Sequence, residues 1–307
     1  MKPISSNKGS VTILTILMAA VIITVGLGFN WLVKEHMKAS EGLKNKAEAV
    51  LKARSAFDTL IYLVLNGVVN RREIISTTGR EISELKTLPL NGQKVPLSED
   101  LFIQAQDSNG MLSLVTLNTG AMQRLMKKVG GLDDASGILS SYLDWIDQDN
   151  FSRLNGAEEF YYRGQGLPYA PRNYPVQYKE EIELIKGMDR ELYGKIESYL
   201  TILPSTGFNP NTASDEVLMA YLDIDEESLK VQKEYMSKKA ISSNMELFAV
   251  TGRQIAMEGE GIYFLPSPYL EVSVSVGKPR SIYIIRAGLD TRQTTSSPYG
   301  VLYWREE

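Results

Sequence analysis

Asp144, Asp147, Asp149, Glu158 and Glu159 fall within sixteen residues, with Asn150 and Asn155 among them. Oxygen donors with no His or Cys suit a hard cation, Ca²⁺ rather than Zn²⁺. In an EF-hand count, Asp147, Asp149 and Glu158 take positions 1, 3 and 12. Phe151 and Ser152 then stand where that loop needs a ligand and a Gly, so the segment is not an EF-hand. Two readings stay open. One is a calcium site completed by backbone carbonyls near Leu154 and Gly156. The other is a solvated acidic loop after a helix. Asp144 and Asp147, three apart on a helical face, also suggest the acid and base of a glycosidase. Acidic pairs on exposed loops are far commoner than active sites, and this reading is set aside.

The remaining composition excludes most other chemistry. The 307 residues include no Cys and one His, His36. That removes disulfides, thiolate metal sites, Cys nucleophiles and zinc sites with several His ligands. A Ser-His-Asp triad would depend on His36 alone. Lys and Arg number 33 against 37 Asp and Glu, a net charge of −4, which disfavours general nucleic-acid binding. Charged residues at 23% and hydrophobic ones at 43% are ordinary for a folded chain of about two domains.

The elements that must position these residues begin with an apolar run. Ser10 to Val33 contains no charged residue, and the stretch from Val11 to Leu32 is long enough as a helix to cross roughly 30 Å of bilayer core. Lys2 and Lys8 precede it, which favours a cytoplasmic N-terminus. A signal peptide is the competitor, but no Ala-x-Ala follows the run. Instead a helical period continues through Leu43, Ala47, Leu51, Phe57, Leu60, Ile61 and Val64. A break near Gly42 is the alternative to one long helix.

Leu101 to Gln106 reads as a strand, Asp107 to Gly110 as a turn, and Met111 to Leu117 as a second strand. Helical patterns follow over about 121–129, 133–147, 179–200 and 213–222, with weaker ones near 226–239 and 244–251. Leu270 to Val276, Ser281 to Leu289 and Val301 to Trp304 return to strand, an antiparallel meander. The expected fold class is α+β: a long N-terminal helix packed on an antiparallel sheet, interrupted by a large all-α inserted domain. Tyr161, Tyr162, Tyr169, Tyr174 and Tyr178 cluster with Pro168, Pro171 and Pro175, as core packing or as an exposed aromatic patch.

Lys8-Gly9-Ser10, at the junction of polar and apolar sequence, resembles the processing site of type IV prepilins. The fifth mature position is Leu14, where most pilins carry Glu, and the first is Ser10, where many carry Phe. In that family the Glu is thought to neutralise the amine of a neighbouring subunit, so its absence fits a subunit with nothing above it. Three further segments carry the likeness: Asp107-Ser108-Asn109-Gly110-Met111-Leu112-Ser113-Leu114, Asp144-Trp145-Ile146-Asp147-Gln148-Asp149, and Leu203 through Ser214 with its Asn209-Pro210-Asn211-Thr212. Asn155 to Tyr162 and Leu184 to Met188 add to it. Each is weak alone, but in this order and spacing the chain resembles the K-type minor pseudopilins of type II secretion systems.

The resemblance implies a prepilin leader over 1–9, cut between Gly9 and Ser10 by a prepilin peptidase with methylation of the new end. Loss of Lys2 and Lys8 would shift the net charge from −4 to −6. It further implies a transmembrane part of the helix over 10–33, a pilin-like domain over 34–117 and 257–307, and an inserted α-helical domain over 118–256. The protein would be a single-pass inner-membrane protein with a periplasmic C-terminal domain and no enzymatic activity. Its partners would be other minor pseudopilins in a tip complex, the major pseudopilin and the inner-membrane assembly platform. Because the family includes calcium-binding members, calcium becomes the implied occupant of the acidic segment, with Asp144, Asp147, Asp149, Glu158 and Glu159 as ligand candidates. With no Cys, the insertion would be held by packing alone or by that metal.

The rival function is nucleic-acid binding. Asn209 through Leu218 resembles the start of helix-hairpin-helix modules, with Ser214 as an N-cap and Asp215 and Glu216 in the first turn. From Phe208 to Lys230 there are six acidic residues and one basic one, which repel phosphates. Lys186-Gly187-Met188 is only a remnant of the hairpin. The motif is therefore expected to be a fold element.

Overall fold

The structure, a computed structural model, describes residues 8–77, 85–252, 261–278 and 281–307. The expected leader, apart from Lys8 and Gly9, lies outside the described residues, as does the start of the expected C-terminal segment at 257–260. The chain divides into two compact units, Met1–Lys52 and Ala53–Glu307. Helix α1 (Lys8–Asn66) runs through Gly42 without a break. It supplies the first unit and contributes its last turns to the second.

In the first unit, the most apolar window of α1 has a mean hydropathy of 2.5 and none of it is buried by protein. Thr15 and Thr24 turn their hydroxyls onto the carbonyls of Thr12 and Ala20, so neither presents an unpaired polar group. An uncovered apolar helix of this length is matched to a bilayer as its solvent.

In the second unit, α1 is followed by β1 (Val68–Val69), β2 (Glu73–Ile75) and β3 (Thr87–Pro89), a small antiparallel sheet. Strands β4 (Val95–Ser98) and β5 (Leu101–Asp107) come next, then a 3₁₀ turn at Ser108–Gly110 and β6 (Leu112–Ser113). The helical block comprises α2 (Thr119–Lys128), α3 (Ser136–Ile146), α4 (Glu159–Gly164), a 3₁₀ helix over Lys179–Leu184, and α5 (Arg190–Ile196). It continues through β7 (Leu200–Thr201), α6 (Asp215–Leu222), α7 (Glu226–Lys238) and α8 (Asn244–Thr251). The chain ends in β8 (Tyr269–Lys278), β9 (Ser281–Asp290) and β10 (Gly300–Glu306).

The main sheet has the order β10-β9-β8-β5-β4 and is antiparallel throughout. Strands β5 and β8 are adjacent although the whole helical block separates them in sequence, with Ile103 opposite Val274 and Ala105 opposite Val272. The alternating residues Val272, Val274 and Val276 are buried, as are Ile285, Ala287 and Leu289, which is the period-2 signature of a half-covered sheet. On α1, Ala53, Phe57, Leu60 and Val64 are buried at three- and four-residue spacing. Phe57 meets Trp304 of β10 edge-on at 4.7 Å. The α+β class is therefore as the sequence implied.

Two expectations need correction. Met111–Leu117 does not form a strand pair with β5. Only Leu112 and Ser113 form a strand, and they pair in parallel with Leu200 and Thr201. The 179–200 pattern is not one helix. Gly187 adopts φ +88°, a left-handed conformation that ends the first turn, and Asp189 then caps α5 through the Leu192 amide at 2.7 Å. Strands β1 to β4 are two to four residues long, too short to show an alternation period in the sequence. The helical block shares one apolar core running from Leu112 to Leu247.

Candidate metal centre and motif joint

Asp144 sits in the last turn of α3 and Asp147 is its C-cap residue, and Glu158 occupies the N-cap position of α4. Two carboxylates at a helix C-terminus face the negative end of the helix dipole and call for a counter-charge. The fold brings oxygens of Asp144, Asp147 and Glu158 within 4.8 Å of one another. Asp144 is fully buried and Glu158 only 4% exposed. Both Glu158 oxygens and Asp147 Oδ1 are buried without a hydrogen-bond partner. Buried polar atoms are almost always satisfied, so three orphaned acceptors converging here fit a cation. Burial, then the charges of Asp144, Asp147 and Asp149, push the Glu158 carboxyl up to about 7.

Arg153 is the one cation that the structure shows paired with the cluster among the described residues. Its Nη1 donates to Asp144 Oδ1 at 2.7 Å and also bonds Asp147 Oδ2. Its backbone N–H donates to Asp144 Oδ2 at 3.1 Å. The loop must pass close to reach this geometry. A Cβ on Gly156 would lie 2.0 Å from Asp144 Oδ2, so only Gly fits there. Lys186 Nζ clamps the same loop, donating to the carbonyls of Asn155 at 3.2 Å and Gly156 at 3.0 Å. The Gly156 carbonyl, expected to complete a metal shell, thus already accepts from Lys186.

The structure does not bring all five acidic candidates together. Asp149 is exposed and its Oδ1 accepts from the Phe151 amide at 2.8 Å. Glu159 is not part of the cluster and pairs with Arg163. Behind the cluster, Trp145, Tyr162 and Tyr169 pack with tilted or edge-on rings 5.4 to 6.2 Å apart. Tyr161 joins Tyr162 edge-on at 5.3 Å. Tyr174 and Tyr178 are exposed, so the tyrosine cluster divides between core and surface. His36 is exposed on α1.

A second constellation was legible only as two separate motifs. Asp107, at the end of β5, is fully buried. Its Oδ1 accepts from the backbone N–H groups of Asn109 at 3.1 Å and Ser267 at 2.8 Å. Its Oδ2 accepts from Asn209 Nδ2 at 3.1 Å and Thr212 Oγ1 at 2.8 Å. The Asn209 backbone N–H in turn donates to the Asn109 backbone carbonyl at 2.8 Å. The segments 107–114 and 203–214 therefore interlock, tying the sheet to the helical block and to the entry of β8. Because Asn209, Asn211 and Thr212 are buried in this joint, they present nothing to a phosphate backbone. Ser214 does cap α6 through the Val217 amide at 3.3 Å. The helix-hairpin-helix likeness is a fold element, and the nucleic-acid reading has no support.

A groove of about 1210 Å³ lies between the 179–199 segment and the C-terminal strands. Its charges are largely paired with one another, as in Arg172–Glu181 at 2.8 Å and Lys179–Glu271 at 3.6 Å.

Fold and sequence together define a pilin-like α+β protein with a membrane-type N-terminal helix. Residues 103–205 match the family model for protein K of the type II secretion system. The type II secretion system protein K of Aeromonas hydrophila is 25% identical over 224 residues, covering 67% of this chain and 66% of that protein. That of Pectobacterium carotovorum subsp. carotovorum is 27% identical over 141 residues, covering 44% of this chain and 43% of that protein. The chain thus spans less than two thirds of the length of these two curated relatives. In the crystal structure of the GspK-GspI-GspJ complex from the enterotoxigenic Escherichia coli type 2 secretion system, one chain shares the fold. The TM-score is 0.57 at 16% identity, covering 87% of this chain and 99% of that one. Over residues 103–205 the chain is similar to protein K of type II secretion systems, the family its motifs resemble.

Proposed function

We propose that the protein is a minor pseudopilin of the K type, placed at the tip of a type II secretion pseudopilus. The observation that carries this reading is the protein K domain match joined to an uncovered apolar helix on a pilin-like fold. The precursor inserts with its N-terminus in the cytoplasm and its C-terminal domain in the periplasm. A prepilin peptidase cuts after Gly9, and Ser10 becomes the methylated mature end. The helix docks beside two other minor pseudopilins on the inner-membrane assembly platform, and the complex starts and caps growth of the major pseudopilin. Leu14 supports the terminal position, since a subunit with nothing above it has no amine to neutralise and an unpaired intramembrane carboxylate is costly. The helical block adds bulk that blocks a further subunit. The role is structural assembly, not catalysis.

Asp144, Asp147 and Glu158 would hold a calcium ion, which supplies a counter-charge to the two Glu158 oxygens and Asp147 Oδ1 that have no partner. That ion would fasten the end of α3 to the start of α4 in a chain with no Cys. Intact mass of the membrane-extracted protein tests the main reading. Loss of residues 1–9 with gain of one methyl group is expected. An intact N-terminus, or cleavage elsewhere, would overturn it.

A further inference from the structure

We propose that Arg153 is a built-in competitor for the cation site, a side chain that must leave Asp144 and Asp147 before a divalent ion can enter. The inference rests on the calcium reading above and adds to it how the site is regulated. One guanidinium nitrogen, Nη1, bonds both Asp144 Oδ1 and Asp147 Oδ2. Calcium bound to those oxygens would sit about 2.3–2.6 Å from each, in the space that nitrogen fills. The two occupants exclude each other.

Charge and reach decide which occupant fits better. Three carboxylates converge on one guanidinium, and both Glu158 oxygens stay without a partner. The guanidinium satisfies two of the three acids, whereas a divalent ion with many oxygen ligands can engage all three. The Arg153 side chain is 41% exposed, so it has a route to water, whereas Asp144 is closed off at 0%. The backbone contact from the Arg153 amide to Asp144 does not depend on the side chain and can persist when it swings out. Arg153 therefore sets the calcium threshold. Bound, it covers the acids in the absence of metal; displaced, it becomes a solvated surface charge.

A purely supporting role for Arg153 predicts the opposite effect of removing it, which makes the test decisive. Ca²⁺ is titrated calorimetrically into the full chain in detergent, comparing wild type with Arg153→Met, which removes the charge without offering an oxygen ligand. Removing a charge-assisted competitor should tighten binding by about tenfold. In parallel, wild-type protein is treated with phenylglyoxal, which modifies free guanidinium groups, and labelling of Arg153 is followed by mass spectrometry. Calcium should increase it. This second readout decides alone if Arg153→Met does not fold. If wild type binds calcium but the variant binds equally or more weakly, or if labelling of calcium-bound wild type fails to rise, the inference is overturned and the calcium reading stands. Binding by the variant alone upholds the inference and overturns calcium for the native chain. Binding by neither overturns both.

Discussion

Replacing Asp107 with Ala removes the acceptor for four donors at once. Two are backbone N–H groups, of Asn109 and Ser267, which have no freedom to find another partner. The others are Asn209 Nδ2 and Thr212 Oγ1. Each stranded buried donor costs about 1–3 kcal/mol. The hydroxyl can rotate and the amide can turn, so the two backbone groups dominate, and the loss comes to about 3–5 kcal/mol. Against a typical domain stability of about 5–15 kcal/mol, that is a large share. Asp107→Asn is the control. Its remaining oxygen can face the two backbone donors while its amide faces Thr212, whose hydroxyl can accept, so it should lose about half as much. Denaturant unfolding followed by tryptophan fluorescence reads both, since Trp145 is 2% exposed in the core. A loss below about 0.5 kcal/mol for Asp107→Ala, the range of ordinary surface changes, would refute the joint as the element that ties sheet to helical block.

The remaining predictions concern the carboxylate cluster. Glu158→Gln should raise the melting temperature in calcium-free buffer at pH 8 and abolish any rise on adding calcium, both read by thermal unfolding. The Glu158 carboxyl is raised to about 7 in the fold from an ordinary 4.5, so its contribution is most favourable below 4.5 and is lost as pH rises through 7. Without calcium, wild type should therefore gain stability relative to Glu158→Gln as the pH falls from 8 to 6. Calcium stabilisation should weaken over the same interval, because the ion requires the ionised form. Gly156→Ala places a Cβ 2.0 Å from Asp144 Oδ2, so the loop must shift. It should cost about 1–3 kcal/mol in denaturant unfolding and weaken calcium binding in calorimetry.

The long helix and the C-terminal meander could be read from sequence because each repeats its period many times. Residues 270–276 alternate without a break, and α1 carries an uncharged stretch no soluble core would need. The short strands failed for the opposite reason, and Leu112–Ser113 is extended only because Leu200–Thr201 lies beside it. The break at Gly187 had a signal in the Gly itself and in Asp189 as an N-cap, overlooked beneath a continuous apolar period. At the site, residue type pointed to Asp144, Asp147 and Glu158, but spacing along the chain could not separate them from Asp149 and Glu159. Only the fold sets which carboxylates turn inward. Arg153 lay within the acidic segment and went unassigned, since a single basic residue there reads as surface charge. The Asp107 joint reads in the sequence as two motifs, and the fact that they touch is a tertiary property with no local sequence signature.

The central claim is that this chain is a subunit of a tip complex, and native mass spectrometry tests it most directly. The full-length chain would be co-expressed with two other minor pseudopilins of the same secretion system and extracted in mild detergent. The account predicts one assembly containing a single copy of each of the three, with this chain lacking residues 1–9. The chain running alone at its own mass, while the other two remain associated, would contradict it.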